Sequence, residues 1–147
     1  MKNYLSRTQG EKFMQQKIGK FQFYFPRINA LDILKGIFLY VDKGKSYSSN
    51  PAKYNRCFRD LHHRFPNLFK DISLEDDSFL PYSDDLEEAF TLAQEYKIIA
   101  RPNPDFYPFT IIASEERLKK DVAGKFSKQE IVVLKKIAMD FEAVLQE

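Results

Sequence analysis

The sequence predicts one α+β domain that is mainly helical and carries a small antiparallel sheet. Three observations predict it. Three amphipathic segments, each behind a capping residue, follow one another between Asn29 and Lys97. A strand–loop–strand pattern comes next, over residues 98–112. A long amphipathic segment then closes the chain behind the capping box Ser127-Lys128-Gln129-Glu130. Three helices followed by a hairpin is the element order of a winged-helix domain, so a winged-helix-like core with a long C-terminal helix is expected.

Each element has its own warrant. Residues 1–18 are polar and basic; a short helix over 5–18 is weakened by Gly10. Phe21, Phe23 and Phe25 alternate at period two, which predicts a strand over 20–25 that Pro26 ends. An early strand of this kind completes the sheet if it pairs with the later hairpin. Asn29 caps a helix to about Asp42, with Asp32 at the third position and Leu31, Leu34, Ile37, Phe38 and Val41 on one face. Gly36 permits close packing there, and Gly44 with the stretch 46–50 ends the helix. Asn50-Pro51 opens a second helix to about Arg64, with Tyr54, Phe58 and Leu61 as its stripe and Cys57 and Phe65 beside it. Residues 66–82 read as a turn followed by an acidic loop at Leu74-Glu75-Asp76-Asp77. Ser83 caps a third helix to about Lys97, with Leu86, Ala89, Phe90, Ala93 and Tyr96 facing inward. Pro102 and Pro104 stiffen the hairpin loop. The last helix, 127–145, turns Ile131, Leu134, Ile137, Ala138, Phe141 and Leu145 to one side.

A length of 147 residues fits a single domain, 1–147, with 1–18 as a looser arm. Fourteen Phe and eight Tyr without Trp predict an aromatic core. Cys57 stands alone, so no intramolecular disulfide is available. The basic N-terminus lacks the continuous apolar stretch of a secretory signal, and no run reaches the ~18 apolar residues that span a bilayer. A cytoplasmic location without a membrane partner is the expectation.

Charge is distributed unevenly. Residues 1–65 hold 13 Lys/Arg against 4 Asp/Glu, whereas residues 66–95 hold Lys70 alone against 9 Asp/Glu. Local charge of this kind selects which partners a surface attracts. Asp84 and Asp85 sit in the first turn of their helix, where the helix dipole favours anions. Asp76, Asp77 and Glu88 have no such local role and lead the candidates for contact with a basic partner, with Asp84 and Asp85 beside them in the same candidate site. On the second helix, Lys53, Arg56, Arg59 and Arg64 form a candidate contact for nucleic acid or an acidic partner. A charged, solvated helix face accounts for the same four residues. Base reading by the third helix is disfavoured, because its leading carboxylates would meet phosphates.

Catalytic signals are sparse. Cys57, Asp60, His62 and His63 have the residue types of a metal or catalytic site, but a zinc site needs about four convergent ligands and no second Cys exists. A buried thiol and helix-end histidines explain the group without chemistry. The five glycines form no phosphate-binding loop. No catalytic residue, cofactor or metal is assigned.

Leu34–Tyr40 (LKGIFLY), the stretch Leu80-Pro81-Tyr82-Ser83-Asp84-Asp85-Leu86, and Tyr96-Lys97-Ile98-Ile99 together resemble the Panacea family of phage- and plasmid-associated, SocA-like antitoxin domains. The resemblance covers residues 29–112. In that family a Gly-Pro-Tyr-Ser turn leads into an acidic-capped helix ending in Gly-Leu-Ile; here Leu80 and Lys97 stand at the two Gly positions. The resemblance implies a non-enzymatic, protein-binding adaptor or regulator of a mobile element. Two further readings are kept. One is a winged-helix transcriptional regulator that binds DNA weakly through the second helix and the N-terminal arm. The other is a metal-dependent enzyme around His62 and His63. Self-association is compatible with all three.

Overall fold

Where the sequence places a cap, a helix starts. The computed structural model describes residues 15–18, 21–24, 28–75, 81–103 and 106–147. Helix α1 spans Ala30–Tyr40. The Asn29 side chain accepts the Asp32 N–H at 2.8 Å, and the Asp32 carboxylate accepts the Asn29 N–H at 3.1 Å. Two otherwise unmet donors are thereby satisfied. At the other end, the Lys43 ammonium folds back to donate to the Phe38 and Leu39 carbonyls. Helix α2 is Pro51–Arg64, with the Asn50 side chain accepting from the Ala52 N–H and proline in the first turn. Helix α3 is Asp84–Glu95, capped by Ser83. Helix α4, Glu115–Val122, is capped by Ser114. Helix α5, Lys128–Leu145, starts at the Ser127/Glu130 capping box.

The end of α3 is built on an uncommon residue. Lys97 has φ +62°, the left-handed region that glycine enters freely. The Ile98 N–H bonds the Ala93 carbonyl at 2.8 Å and the Lys97 N–H bonds the Gln94 carbonyl at 3.2 Å, the two bonds of a Schellman ending. Lysine adopts this conformation at a cost of about 1–2 kcal/mol, part of which glycine's greater unfolded freedom returns. Lys97→Gly is therefore expected to raise stability by about 0.5–1 kcal/mol in urea unfolding. A loss of stability would mean that the lysine side chain contributes more than its backbone strain costs.

The strands form two antiparallel units. β1 (Gln15–Ile18) pairs with β2 (Phe21–Tyr24), setting Gln15 opposite Tyr24 and Ile18 opposite Phe21. The second unit has the order β3-β5-β4, from β3 (Ser46–Ser48), β4 (Ile99–Ala100) and β5 (Pro108–Ile111). Tyr47 lies opposite Phe109, and Ile99 opposite Ile111. Pro108 lacks an N–H and sits at the first residue of the central strand, where that lack is tolerated. The Glu147 N–H bonds the Ser46 carbonyl at 2.9 Å, which fastens the chain's end beside β3.

The fold is therefore α+β and mainly helical, with a small antiparallel sheet and a long C-terminal helix. Five sequence expectations are corrected. The early strand pairs with β1 and not with the hairpin; the third partner of the hairpin is β3. Residues 15–18 of the expected N-terminal helix are strand, and the rest of that helix lies outside the described residues. The stretch 46–50, expected only to end a helix, supplies β3. Helix α4 adds an element that the sequence patterns do not predict. Tyr96, expected to face inward, is exposed because α3 stops at Glu95 and the chain turns away there.

The core forms where α1, α2, α3 and α5 meet the sheet. Leu34, Phe38, Phe58, Leu86, Phe90, Leu134 and Phe141, each on the apolar stripe of its helix, are buried in one cluster. Aromatic rings fill its centre, with Phe38, Tyr47, Phe58, Phe109 and Phe141 at most 2% exposed. Gly36 lets α1 approach α5, because a Cβ there would stand 2.9 Å from Leu134 Cδ1. The Tyr47 hydroxyl donates to the Asp42 carbonyl and to Glu142, whose carboxylate also accepts the Asp42 N–H. Those bonds tie the α1–β3 turn to α5. No helix among the described residues is long and apolar enough to cross a membrane.

Candidate partner-binding surfaces

The acidic surface gathers at the start of α3. Ser83 is buried and its oxygen accepts the Leu86 N–H, so the helix start is fixed from inside. Asp84, Glu87 and Glu88 consequently project into solvent. The Tyr82 hydroxyl donates to Glu87 Oε1, and this bond, with a further one to Asp84, holds the phenol well above its usual pKa. Asp85 behaves differently. It is half-buried and accepts the Ser73 N–H at 2.7 Å, so it clamps the preceding loop to the helix. Asp76 and Asp77 lie outside the described residues. The backbones of Glu75 and Tyr82, on either side of that segment, exchange two hydrogen bonds of 2.7 and 3.0 Å.

The basic candidates on α2 are mostly engaged. Lys53 meets Glu147 at 3.6 Å, Arg59 meets Asp60 at 3.6 Å, and Arg64 meets Asp140 at 2.7 Å. Arg64 also lies over the Phe65 ring. Arg56 is exposed and forms no ion pair among the described residues. Exposed pairs contribute little to stability. They do place a carboxylate beside each cation, which weakens the surface potential that phosphates would meet.

The Cys57–His63 group does not converge. Cys57 is buried on the apolar side of α2, and burial, with Asp60 and Asp140 adding to it, pushes its thiol up to about 12. It stays protonated at neutral pH and is a poor nucleophile or ligand. His62 packs near the Phe69 ring at 6.1 Å, while Asp60 and His63 face outward. Among the described residues, no three His, Cys, Asp or Glu side chains are placed to hold one metal ion.

A cleft lies between the start of α2, the face of α3 and the β4–β5 hairpin, and no local pattern in the chain points to it. Ser49, Tyr54, Glu87, Gln94, Arg101 and Tyr107 are among its lining residues. They come from four separate stretches of chain, and a lone arginine before a proline loop carries no recognisable spacing. Tyr107 and the neighbouring Phe106 are exposed, at 47% and 61%. Tyr107 lines the cleft together with Glu87 of α3.

Compared with family models, curated proteins and solved structures, the chain matches none.

Proposed function

We propose that the protein is a non-enzymatic adaptor or regulator that binds a basic protein partner through the start of α3. The observation that carries this reading is the contrast between two helices. On α3, Asp84, Glu87 and Glu88 are exposed beside the exposed Tyr82. On α2, three of the four candidate cations already have carboxylate partners. A winged-helix arrangement of the core is part of the proposal. The element order α1-β3-α2-α3-β4-β5 and the sheet order β3-β5-β4 support it. In such a core the third helix is the one that ordinarily enters DNA, and here that helix is acidic. An antitoxin-like, mobile-element role follows from the Panacea resemblance. The left-handed Lys97, at a position where that family places glycine, supports the comparison.

The test combines recovery and competition. The tagged chain is used to capture partners from native lysate treated with nuclease. The proposal expects a basic protein that stays bound after nuclease treatment and is released by raised salt. Duplex DNA, titrated in parallel, is expected to bind weakly, without sequence preference, and to be lost on changing Arg56 and Arg59 to Glu. Tight binding to one DNA sequence that survives about 200 mM salt would replace the adaptor reading with that of a transcriptional regulator.

A further inference from the structure

The cleft beside the hairpin has a volume of about 160 Å³. Among the described residues its one cationic lining residue is Arg101, whose guanidinium is incompletely satisfied. Nη1 reaches Ser49 Oγ at 3.5 Å, the outer limit of a hydrogen bond, and Nε is buried without an acceptor. No carboxylate of the described residues forms an ion pair with it. A half-buried guanidinium normally has an anionic or carbonyl partner, because desolvating its charge is otherwise costly.

The surroundings of Arg101 are fixed. The Ser49 hydroxyl donates to the Tyr107 carbonyl at 2.7 Å, and the Ser49 N–H donates to the same oxygen at 3.0 Å. The one side-chain contact of the guanidinium among the described residues is thus to a serine held just beyond the β3–β5 ladder. The Tyr54 ring stacks 4.5 Å from Phe90. Burial and the nearby Glu87 push its phenol up to about 12, so it remains a proton donor. The exposed Tyr107 ring stands at the cleft's edge.

We propose that this cleft binds a single carboxylate group, paired to the Arg101 guanidinium between Tyr54 and Tyr107. A planar guanidinium matches a carboxylate through two parallel hydrogen bonds. Glu87 lines the same cleft and opposes a doubly charged phosphate more strongly than a monoanion. The volume lies below the roughly 300–1,000 Å³ of drug-sized ligand pockets, so the carboxylate arrives on a small molecule or a chain end, not on a nucleotide. A free amino acid and a polypeptide C-terminus share this chemistry. The inference stands independently of the adaptor role.

The experiment titrates the full chain, ¹⁵N-labelled, with N-acetylglycine, glycine and inorganic phosphate. It follows the Arg101 Nε–Hε resonance and the Ser49 and Tyr107 amides. N-acetylglycine or glycine is expected to shift these resonances saturably, with phosphate at least about tenfold weaker. Tighter N-acetylglycine identifies a chain end as the source. Tighter glycine identifies a free amino acid, with Glu87 taking its ammonium. Arg101→Gln is expected to abolish the amide shifts while leaving the rest of the spectrum in place. Arg101→Lys, which keeps the charge but loses the planar fork, is expected to bind about tenfold more weakly. The proposal is overturned if neither carboxylate saturates, if phosphate binds as well as they do, or if the shifts persist in Arg101→Gln.

Discussion

Replacing Phe141 with Ala is expected to lower the unfolding free energy by about 3–5 kcal/mol. Phe141 is fully buried at the point where α5 meets α1, α2 and β3. Its ring centroid lies 6.0 Å from Phe38, 5.6 Å from Tyr47 and 6.3 Å from Phe58, with the Phe38 and Phe58 pairs near edge-on. Truncation removes apolar burial and three ring contacts together, and it leaves a cavity that three elements would have to shift to close. A domain of this size is typically stable by about 5–15 kcal/mol, so the variant would stand near the threshold of folding. Phe58→Ala should cost a similar amount, since Phe58 is 2% exposed and meets Phe69 and Phe141 edge-on. Because Phe58 and Phe141 touch, the double variant should lose less than the sum of the two. Urea unfolding with a fixed m-value measures all three. A loss below about 1 kcal/mol for Phe141→Ala would mean that the cluster can refill the space, against the close packing of its rings.

These stripes were legible in the sequence because helix periodicity and caps are local. Asn29 with Asp32, Asn50 before Pro51, Ser83, and Ser127 with Glu130 each mark a helix start within four residues of chain. What sequence reading missed is either too short or too distant to leave a pattern. β3 is three residues with Tyr47 as its one large apolar side chain, and its partner β5 lies some sixty residues later. Helix α4 buries Leu118 alone among its eight residues, so it has no stripe to find. The partner of β2 is not legible either, because alternation identifies a strand but not its neighbour.

The site followed the same division. The run of carboxylates was plain, yet the separate roles of Asp85, clamped to Ser73, and Glu88, projecting freely, depend on tertiary placement. The cations of α2 were just as plain in the sequence. That Lys53 and Arg64 are met by Glu147 and Asp140, from the far end of the chain, was not. Charge composition therefore marked both surfaces, and only the fold distinguished the engaged one from the open one.

Changing Asp76, Asp77 and Glu88 together to Lys is expected to slow association with the basic partner by about tenfold or more at low salt. Long-range attraction between opposite charges raises encounter rates, and replacing three carboxylates by ammonium groups turns local attraction into repulsion. The effect should shrink as salt rises, because screening at about 0.15 M limits such forces to roughly 8 Å. Stability should change little. Glu88 is exposed and lies past the first three helical positions, and exposed charges contribute about 0–1 kcal/mol each. Asp84, Asp85 and Glu87 are left in place because they serve the helix start, the Ser73 contact and Tyr82. Surface plasmon resonance against the captured partner, at two salt concentrations, gives the on-rates. A melting curve of each protein confirms that the variant is folded. A folded variant whose on-rate at low salt equals that of the wild type would mean that these carboxylates only solvate the surface, and the partner site would then have to be sought elsewhere on the molecule.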